Sequence, residues 1–286
     1  MAGKAVKKQA SPKIPKVLVF ISRGLESISP NWAAAFAARL FTTPLRYKMP
    51  KREIEMDQKS RQRRVLVKSI QKEIVVYEFG TSEKRILLVH GWSGRGTQLV
   101  KFAERFADAG YSTVSFDAPA HGKSPGKTTL MPEFVEATLQ LDSEFGGFEG
   151  AIGHSLGGMS LLNAAKRGFN PKKMIIIGSG DIIQDIIDEF IGRLGLQART
   201  GELMRKRFEK GGESMDSYSS YVAARKVTFP VLVIHDEGDA EVPVSCGSHI
   251  SGHLQKGELL LTKGLGHRKI LGNNEVIDTS FKFITE

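Results

Sequence analysis

Ser155 lies in Gly153-His154-Ser155-Leu156-Gly157, with a glycine two residues to either side. Ala151 and Ile152 precede it, and a helix-forming run from Met159 through Ala165 follows. A strand, a Gly-x-Ser-x-Gly turn and a helix in that order predict a sharp bend that leaves the hydroxyl exposed. The glycines permit the bend and the close passage of neighbouring chain. The first amides of the helix would face the serine, where they could hold a developing negative charge. With 30 Gly among 286 residues the pentapeptide could also arise by chance, so the surrounding residues must decide. A serine hydroxyl attacks a carbonyl once a base takes its proton, and imidazole suits that task near neutral pH. Beyond the acidic loop His235-Asp236-Glu237-Gly238-Asp239-Ala240-Glu241-Val242-Pro243 the histidines are His249, His253 and His267. His249 and His253 fall in an expected helix, whereas His267 follows Gly266 in a loop. Asp236, Asp239 and Glu241 compete as the group that would orient the base. His154 adjoins the serine, but adjacent side chains on a tight turn point apart, which favours a packing or hydrogen-bonding role. His90 and His121 are expected to tie loops together.

The elements that must position these residues are legible in the spacing of apolar runs. Residues 85–89, Arg-Ile-Leu-Leu-Val, form a short apolar run of the kind expected for a strand buried on both faces. Residues 111–116, 150–153, 174–177, 231–234 and 259–261 read as further strands. Helical stretches lie between them, carrying Leu99, Phe102 and Phe106 in one case and residues 131–145 in another. The serine helix is expected to run to about Arg167, and a final helix to span residues 274–284. Strands alternating with helices imply a mostly parallel, doubly wound α/β sheet. Ligands in such sheets bind at the carboxyl ends of the strands. His90-Gly91, residues 117–124, Ser155, the Asp239 loop and His267 all follow strands in that way. Ahead of this region, residues 65–70 and 73–79 read as a hairpin, with Arg61, Arg63 and Arg64 on a solvated edge. Between residues 178 and 230 no strand is evident. The apolar stripe Ile182, Ile183, Ile186, Ile187, Phe190, Ile191 and Leu194, followed by helices at about 202–209 and 217–225, reads as a cap over one end of the sheet. The expected organisation is a disordered basic arm (1–16), an N-terminal helical extension (17–58), a core (59–181 and 227–286) and a helical cap (182–226).

The chain carries a formal net charge of +10, unevenly placed. Residues 1–72 hold 17 of the 41 Lys and Arg and 4 of the 31 acidic residues, so the remainder is slightly acidic. A near-neutral body argues against a nucleic-acid-binding core, while a basic arm could lie peripherally on an anionic membrane surface. Trp32, Phe36 and Leu40 recur at four-residue spacing and mark one face of a helix over residues 30–41, ended by Thr42, Thr43 and Pro44. That helix is expected to pack on the main domain, with membrane contact or cover of an active-site entrance as the sharper alternatives. The apolar residues 17–21 after a basic start resemble a signal peptide, but Arg23 and Glu26 interrupt them and no small-residue cleavage site follows. No apolar run approaches the roughly 20 residues of a membrane span. The only cysteine, Cys246, suits a reducing, cytoplasmic compartment. No Cys/His cluster has zinc-like spacing, and Gly91-x-x-Gly94-x-Gly96 lacks the features of a phosphate or dinucleotide loop. Neither metal nor cofactor is therefore expected.

Five motifs in one order carry a resemblance. His90-Gly91-Trp92, Asp117-x-x-x-His121-Gly122-x-Ser124, Gly153-x-Ser155-x-Gly157, the Asp239 loop and Gly266-His267 together resemble the α/β-hydrolase fold superfamily, of the serine esterase and lipase type with a helical cap. The resemblance covers about residues 65–286. It implies Ser155 as nucleophile, His267 as base and then acid, and Asp239 as the residue that orients and stabilises the imidazolium. Asp239 rather than Asp236 matches the family position. The resemblance also implies an oxyanion hole made by the backbone N–H groups of Trp92 and Leu156. A serine at this position disfavours the dehalogenase and epoxide hydrolase branches, and the lack of a Gly-Gly-Gly loop after His90 disfavours one esterase branch. The implied activity is hydrolysis of a small-molecule carboxylic ester with a hydrophobic acyl part. Thioesterase, amidase or acyltransferase chemistry with the same triad, and a non-enzymatic interaction module, remain open alternatives.

Overall fold

The computed structural model describes residues 14–286. It opens with α1 (Lys16–Ile28), α2 (Pro30–Phe41) and α3 (Ile54–Lys59), followed by the strands β1 (Arg61–Val67) and β2 (Lys72–Phe79). Strands and helices then alternate through β3 (Arg85–Val89), α4 (Val100–Asp108), β4 (Ser112–Asp117) and α5 (Met131–Phe145). They continue through β5 (Gly150–His154), α6 (Leu156–Lys166) and β6 (Lys173–Ile177). An excursion of α7 (Ile183–Arg193), α8 (Ala198–Phe208) and α9 (Ser220–Ala224) precedes β7 (Val231–Asp236). The chain ends with α10 (Val244–His253), β8 (Gly257–Thr262), α11 (Gly266–Lys269) and α12 (Asn274–Thr285).

The strands form one 8-stranded sheet in the order β1-β2-β4-β3-β5-β6-β7-β8. β1 and β2 are antiparallel, as is β2 to β4, and every later pairing is parallel. The central strands are almost wholly buried, because helices cover both faces of the sheet, and β3, β6 and β7 are mainly apolar. On one face α5 and α6 pack Phe134, Leu141, Leu161 and Leu162 against the sheet. On the other, Phe102 and Phe106 of α4 and Val276 and Ile284 of α12 do the same. The registers Val89↔Gly153, Gly153↔Ile176 and Ile177↔Ile234 hold the carboxyl ends of β3, β5, β6 and β7 level. β3 lies between β4 and β5, so the turns leaving β3 and β5 meet side by side. This is the place where open α/β sheets bind ligands.

Several expectations shift. The hairpin starts four residues earlier, at Arg61, because the arginine run is part of the edge strand β1 rather than its flank. Residues 1–13 of the expected disordered arm lie outside the described residues, and Lys16 already belongs to α1. The second cap helix starts at Ala198, and the third divides into a 3-10 turn, Met215–Tyr218, and α9. The largest correction concerns α2. Its buried face is Ala33, Ala34 and Ala37, whereas Trp32 is 60% exposed. Alanines let α2 approach its neighbours closely, as helix separation depends on the side chains at the contact. They pack with Ile187 and Ile191 of α7 and with Leu194 at its end. Among the described residues no helix is long and apolar enough to cross a membrane.

Candidate active site

The turn from β5 to α6 holds Ser155 at φ 53° and ψ −118°. A non-glycine residue at positive φ is strained, and such strain persists only where the surroundings enforce it. Here Ser155 donates its N–H to the Ile177 carbonyl at 2.9 Å, while its own carbonyl accepts from Gly158 at 3.0 Å. The glycines are required by close approach. A Cβ on Gly157 would sit 2.2 Å from the Val89 oxygen, and one on Gly153 would sit 2.6 Å from the Gly157 carbonyl. β3, β5 and the start of α6 can therefore meet only where these side chains are missing.

The loop after β3 lies against the serine: a Cβ on Gly91 would be 3.1 Å from the Ser155 Cβ. Several side chains fix this loop. His90 donates Nδ1–H to the Gly91 carbonyl at 2.7 Å, so its Nε2 is left to accept from the Ala118 amide at 3.1 Å. His121 likewise donates Nδ1–H to the Pro119 carbonyl at 3.1 Å and accepts from the Ser93 amide at 3.0 Å. Burial lowers His90 to about 4; burial, then the neighbouring His90, lowers His121 to about 3. Both rings are thus neutral near pH 7, as an accepting nitrogen requires. Asp117 Oδ1 accepts from the Gly96 amide at 2.7 Å, and Oδ2 from Tyr77 Oη at 2.8 Å and the Lys123 amide at 2.7 Å. Gln98 Oε1 takes the Gly91 amide at 2.8 Å. By contrast, the amides of Trp92 and Leu156 have no hydrogen-bond partner among the described residues. Leu156 opens α6, and the first N–H groups of a helix have no carbonyl of their own helix to bond.

His267 and Asp239 come from the turns after β8 and β7. His267 donates Nδ1–H to Asp239 Oδ2 at 2.7 Å, with both side chains almost wholly buried. Asp239 Oδ1 accepts from the amides of Glu241 at 2.8 Å and Val242 at 2.9 Å. Burial alone would raise the Asp239 pKa, but the His267 hydrogen bond and charge, with these amides, hold it below the usual carboxylate range. The competing acids are committed elsewhere. Asp236 accepts from Gly238, from Thr262 Oγ1 at 2.8 Å and from Leu265 at 3.0 Å, which shapes the loops. Glu241 pairs with Arg268 at 2.9 Å. Gly178 connects the two halves of the site: the Ser155 amide bonds Ile177, and a Cβ on Gly178 would be 3.2 Å from His267 Nδ1 and 3.4 Å from Asp239 Oδ2. Gly178 thus lies against the His267–Asp239 pair and directly follows the residue that accepts from the Ser155 amide.

His154 points away from the serine. Its Nε2–H donates to the His267 backbone carbonyl at 2.9 Å, and the two rings lie 4.6 Å apart. Burial, then the nearby His267, lowers its pKa to about 3, so it holds the His267 turn as a neutral ring. His249 bonds Asp181, with its side chain 43% exposed, and stacks on His253 and Tyr221 between α10 and α9. Apolar side chains of α7 and α2 pack against the start of α6. Leu156, Met159 and Met131 share a cluster with Ile183 and Ile187 of α7 and the alanines of α2. Sequence reasoning missed Gly178, Gln98, Tyr77 and the loop-holding role of Asp117. Only Asp117 had a signal, its place in the Asp-x-x-x-His-Gly-x-Ser motif. Among the described residues no group of three or more His, Cys, Asp or Glu side chains could hold a metal ion.

A sequence profile of the alpha/beta hydrolase family matches residues 86–267, which include Trp92, Ser155, Asp239 and His267. No curated protein matches the sequence. Solved structures resemble it in fold at low identity. An esterase from Exiguobacterium antarcticum shares 14% identity at a TM-score of 0.62, over 78% of this chain and 99% of its own. A bacterial membrane phospholipase A shares 15% at 0.63, over 94% and 96%. A bromoperoxidase from Bacillus anthracis shares 18% at 0.60, over 78% and 99%.

Proposed function

This chain belongs to the alpha/beta hydrolase family, and from that premise we propose that it is a serine hydrolase cleaving carboxylic esters through an acyl-enzyme. The observation that carries the reading is the buried 2.7 Å bond from His267 Nδ1–H to Asp239, beside the strained turn that bears Ser155. With Nδ1 donating, the lone pair of the neutral ring is on Nε2, which takes the Ser155 proton as Oγ attacks the ester carbonyl. The tetrahedral oxyanion accepts from the Leu156 and Trp92 amides, each of which lacks an internal partner. When the carbon–oxygen bond to the alcohol breaks, His267 returns its proton to the leaving oxygen. Water then repeats the sequence on the acyl-enzyme, frees the carboxylic acid and restores Ser155. Asp239 stays ionised and stabilises the imidazolium in both steps. The neighbours named as an esterase and a phospholipase perform chemistry of this class.

The apolar residues around the elbow, Leu156, Met159, Met131 and Ile183 among them, favour a hydrophobic acyl portion. A fluorophosphonate probe tests the nucleophile: the native chain should be labelled and Ser155→Ala should not. Equal labelling, or none of the native chain, sinks the assignment. A p-nitrophenyl ester series from acetate to palmitate tests the acyl group, and activity that peaks at acetate and declines with length contradicts it.

A further inference from the structure

α1 presents an apolar stripe to solvent. Val17, Phe20, Ile21, Gly24 and Ile28 fall within about 100° of arc at 3.6 residues per turn. They are exposed: Val17 by 61%, Phe20 by 80%, Ile21 by 40% and Ile28 by 71%. Trp32, also 60% exposed, lies just past the break at Ser29, at the start of α2. The opposite side of α1 fixes this orientation. Ser22 is buried, Leu25 packs into the cap cluster, and Glu26 accepts from the Gln197 amide at 3.0 Å and from Thr200 Oγ1. The helix therefore cannot turn its apolar stripe inward without giving up those contacts.

A water-soluble chain leaves such a stripe uncovered at a cost, and contiguous exposed apolar surface marks an interaction site. The charge next to it selects the partner. Lys16 and Arg23 are exposed along the flank beside Phe20. The 13 residues before Ile14 hold four lysines and no acidic residue, with Met1 and Val6 as their only large apolar side chains. That segment has too little apolar surface to cover the stripe. A second copy of the chain would bring the same basic flank against itself, which opposes a dimer through this face. An apolar helix face edged by cations, with a tryptophan at its end, suits an anionic lipid surface: the apolar residues enter the acyl boundary and the cations meet the headgroups. We propose that α1 docks this protein on anionic phospholipid bilayers, with Val17, Phe20, Ile21, Ile28 and Trp32 inserted. The inference goes beyond the hydrolase reading and does not depend on it. It also centres membrane contact on α1, with only Trp32 of α2 taking part, because the alanine face of α2 is buried.

Flotation of the full chain with vesicles tests it, using phosphatidylcholine alone and phosphatidylcholine mixed with phosphatidylglycerol. The native chain should float with the anionic vesicles and several-fold less with the neutral ones, and raising salt from roughly 0.1 to 0.5 M should release it. Phe20→Glu with Ile28→Glu should lower partitioning at least about tenfold for each residue. Phe20→Ala with Ile28→Ala, which adds no charge, should lower it by less. Native chain that stays unbound, equal flotation on both vesicle types, or a Glu variant that floats like the native chain each overturns the proposal. So does a dimer in solution that the Glu variant abolishes, without vesicle binding. Probe labelling at Ser155 is read separately, so failure of docking and failure of the hydrolase reading are distinguishable.

Discussion

Replacing Asp239 by Asn removes a charge while keeping the side chain's shape, and the loop dictates how the amide must sit. Oδ1 of Asp239 accepts from the amides of Glu241 at 2.8 Å and Val242 at 2.9 Å. An NH₂ group cannot face those two donors, so the Asn carbonyl takes the place of Oδ1 and its NH₂ is directed at His267 Nδ1, 2.7 Å from the present Oδ2. His267 must then accept at Nδ1 and carry its proton on Nε2, the nitrogen that takes the serine proton in the proposed mechanism. Loss of the right tautomer and of the carboxylate that stabilises the imidazolium together reduce kcat about 10³- to 10⁴-fold, or roughly 4–5.5 kcal/mol of barrier. KM should change little, because Asp239 touches the base rather than the substrate. The assay is steady-state hydrolysis of p-nitrophenyl butyrate beside the rate of fluorophosphonate labelling, with Glu241→Gln as comparison. Glu241 pairs with Arg268 on the surface and should matter less than tenfold. Asp239→Asn activity within tenfold of native, or a Glu241→Gln loss of equal size, refutes the assignment.

Three further outcomes follow from the geometry. His90, His121 and His154 are held neutral, at about 4, 3 and 3, well below the ordinary histidine value. Between those values and about 6.5 the unfolded chain binds more protons than the folded one, so stability falls with falling pH, by up to about 1.4 kcal/mol per unit for each ring. Asp117, raised by burial, works the other way over the lower part of that window. Urea midpoints should therefore drop sharply from pH 6.5 to 5, and flat midpoints contradict the buried neutral rings. His154→Phe keeps a ring beside His267 but loses the 2.9 Å bond to its carbonyl. A hydrogen bond worth about 1 kcal/mol implies a roughly fivefold lower kcat at unchanged pH profile, and an unaltered rate removes the positioning role. Gly157→Ala places a Cβ 2.2 Å from the Val89 oxygen. Overpacking against backbone should cost about 3 kcal/mol, read as a lowered thermal midpoint, and a native midpoint would mean that the elbow can relax.

What could be read early was local. The Gly-x-Ser-x-Gly turn, the apolar strands and the reactive residues at strand ends depend on short-range rules: steric freedom of glycine, burial of both strand faces and the alternation that builds parallel sheets. These led to the α/β sheet and its strand ends without coordinates, and the resemblance carried by the five motifs then singled out Ser155 and His267 as candidates. The acid was harder. Asp236 and Asp239 lie three residues apart in one turn, and only the path of the loop shows that Asp236 serves Thr262 and Leu265 while Asp239 faces His267. Gly178 and Gln98 carry no motif at all, since their roles arise from chain segments brought together across the sheet.

The N-terminal helices show the same division most clearly. Four-residue spacing of Trp32, Phe36 and Leu40 pointed to a helix, and one forms over Pro30–Phe41. The buried face coincides with that stripe only in part: Leu40 packs with the alanines, whereas Trp32 stays exposed. Which side of a helix is covered depends on what the neighbouring element can accommodate, and α7 and α8 meet α2 along its alanines. By itself the sequence determined the kinds of elements, their order and the residue types able to do chemistry, because propensity and spacing act within a few residues. Only the tertiary structure decided which carboxylate meets the imidazole, which amides stay free beside the serine, and which apolar face is left for solvent, because each depends on packing between residues far apart in the chain.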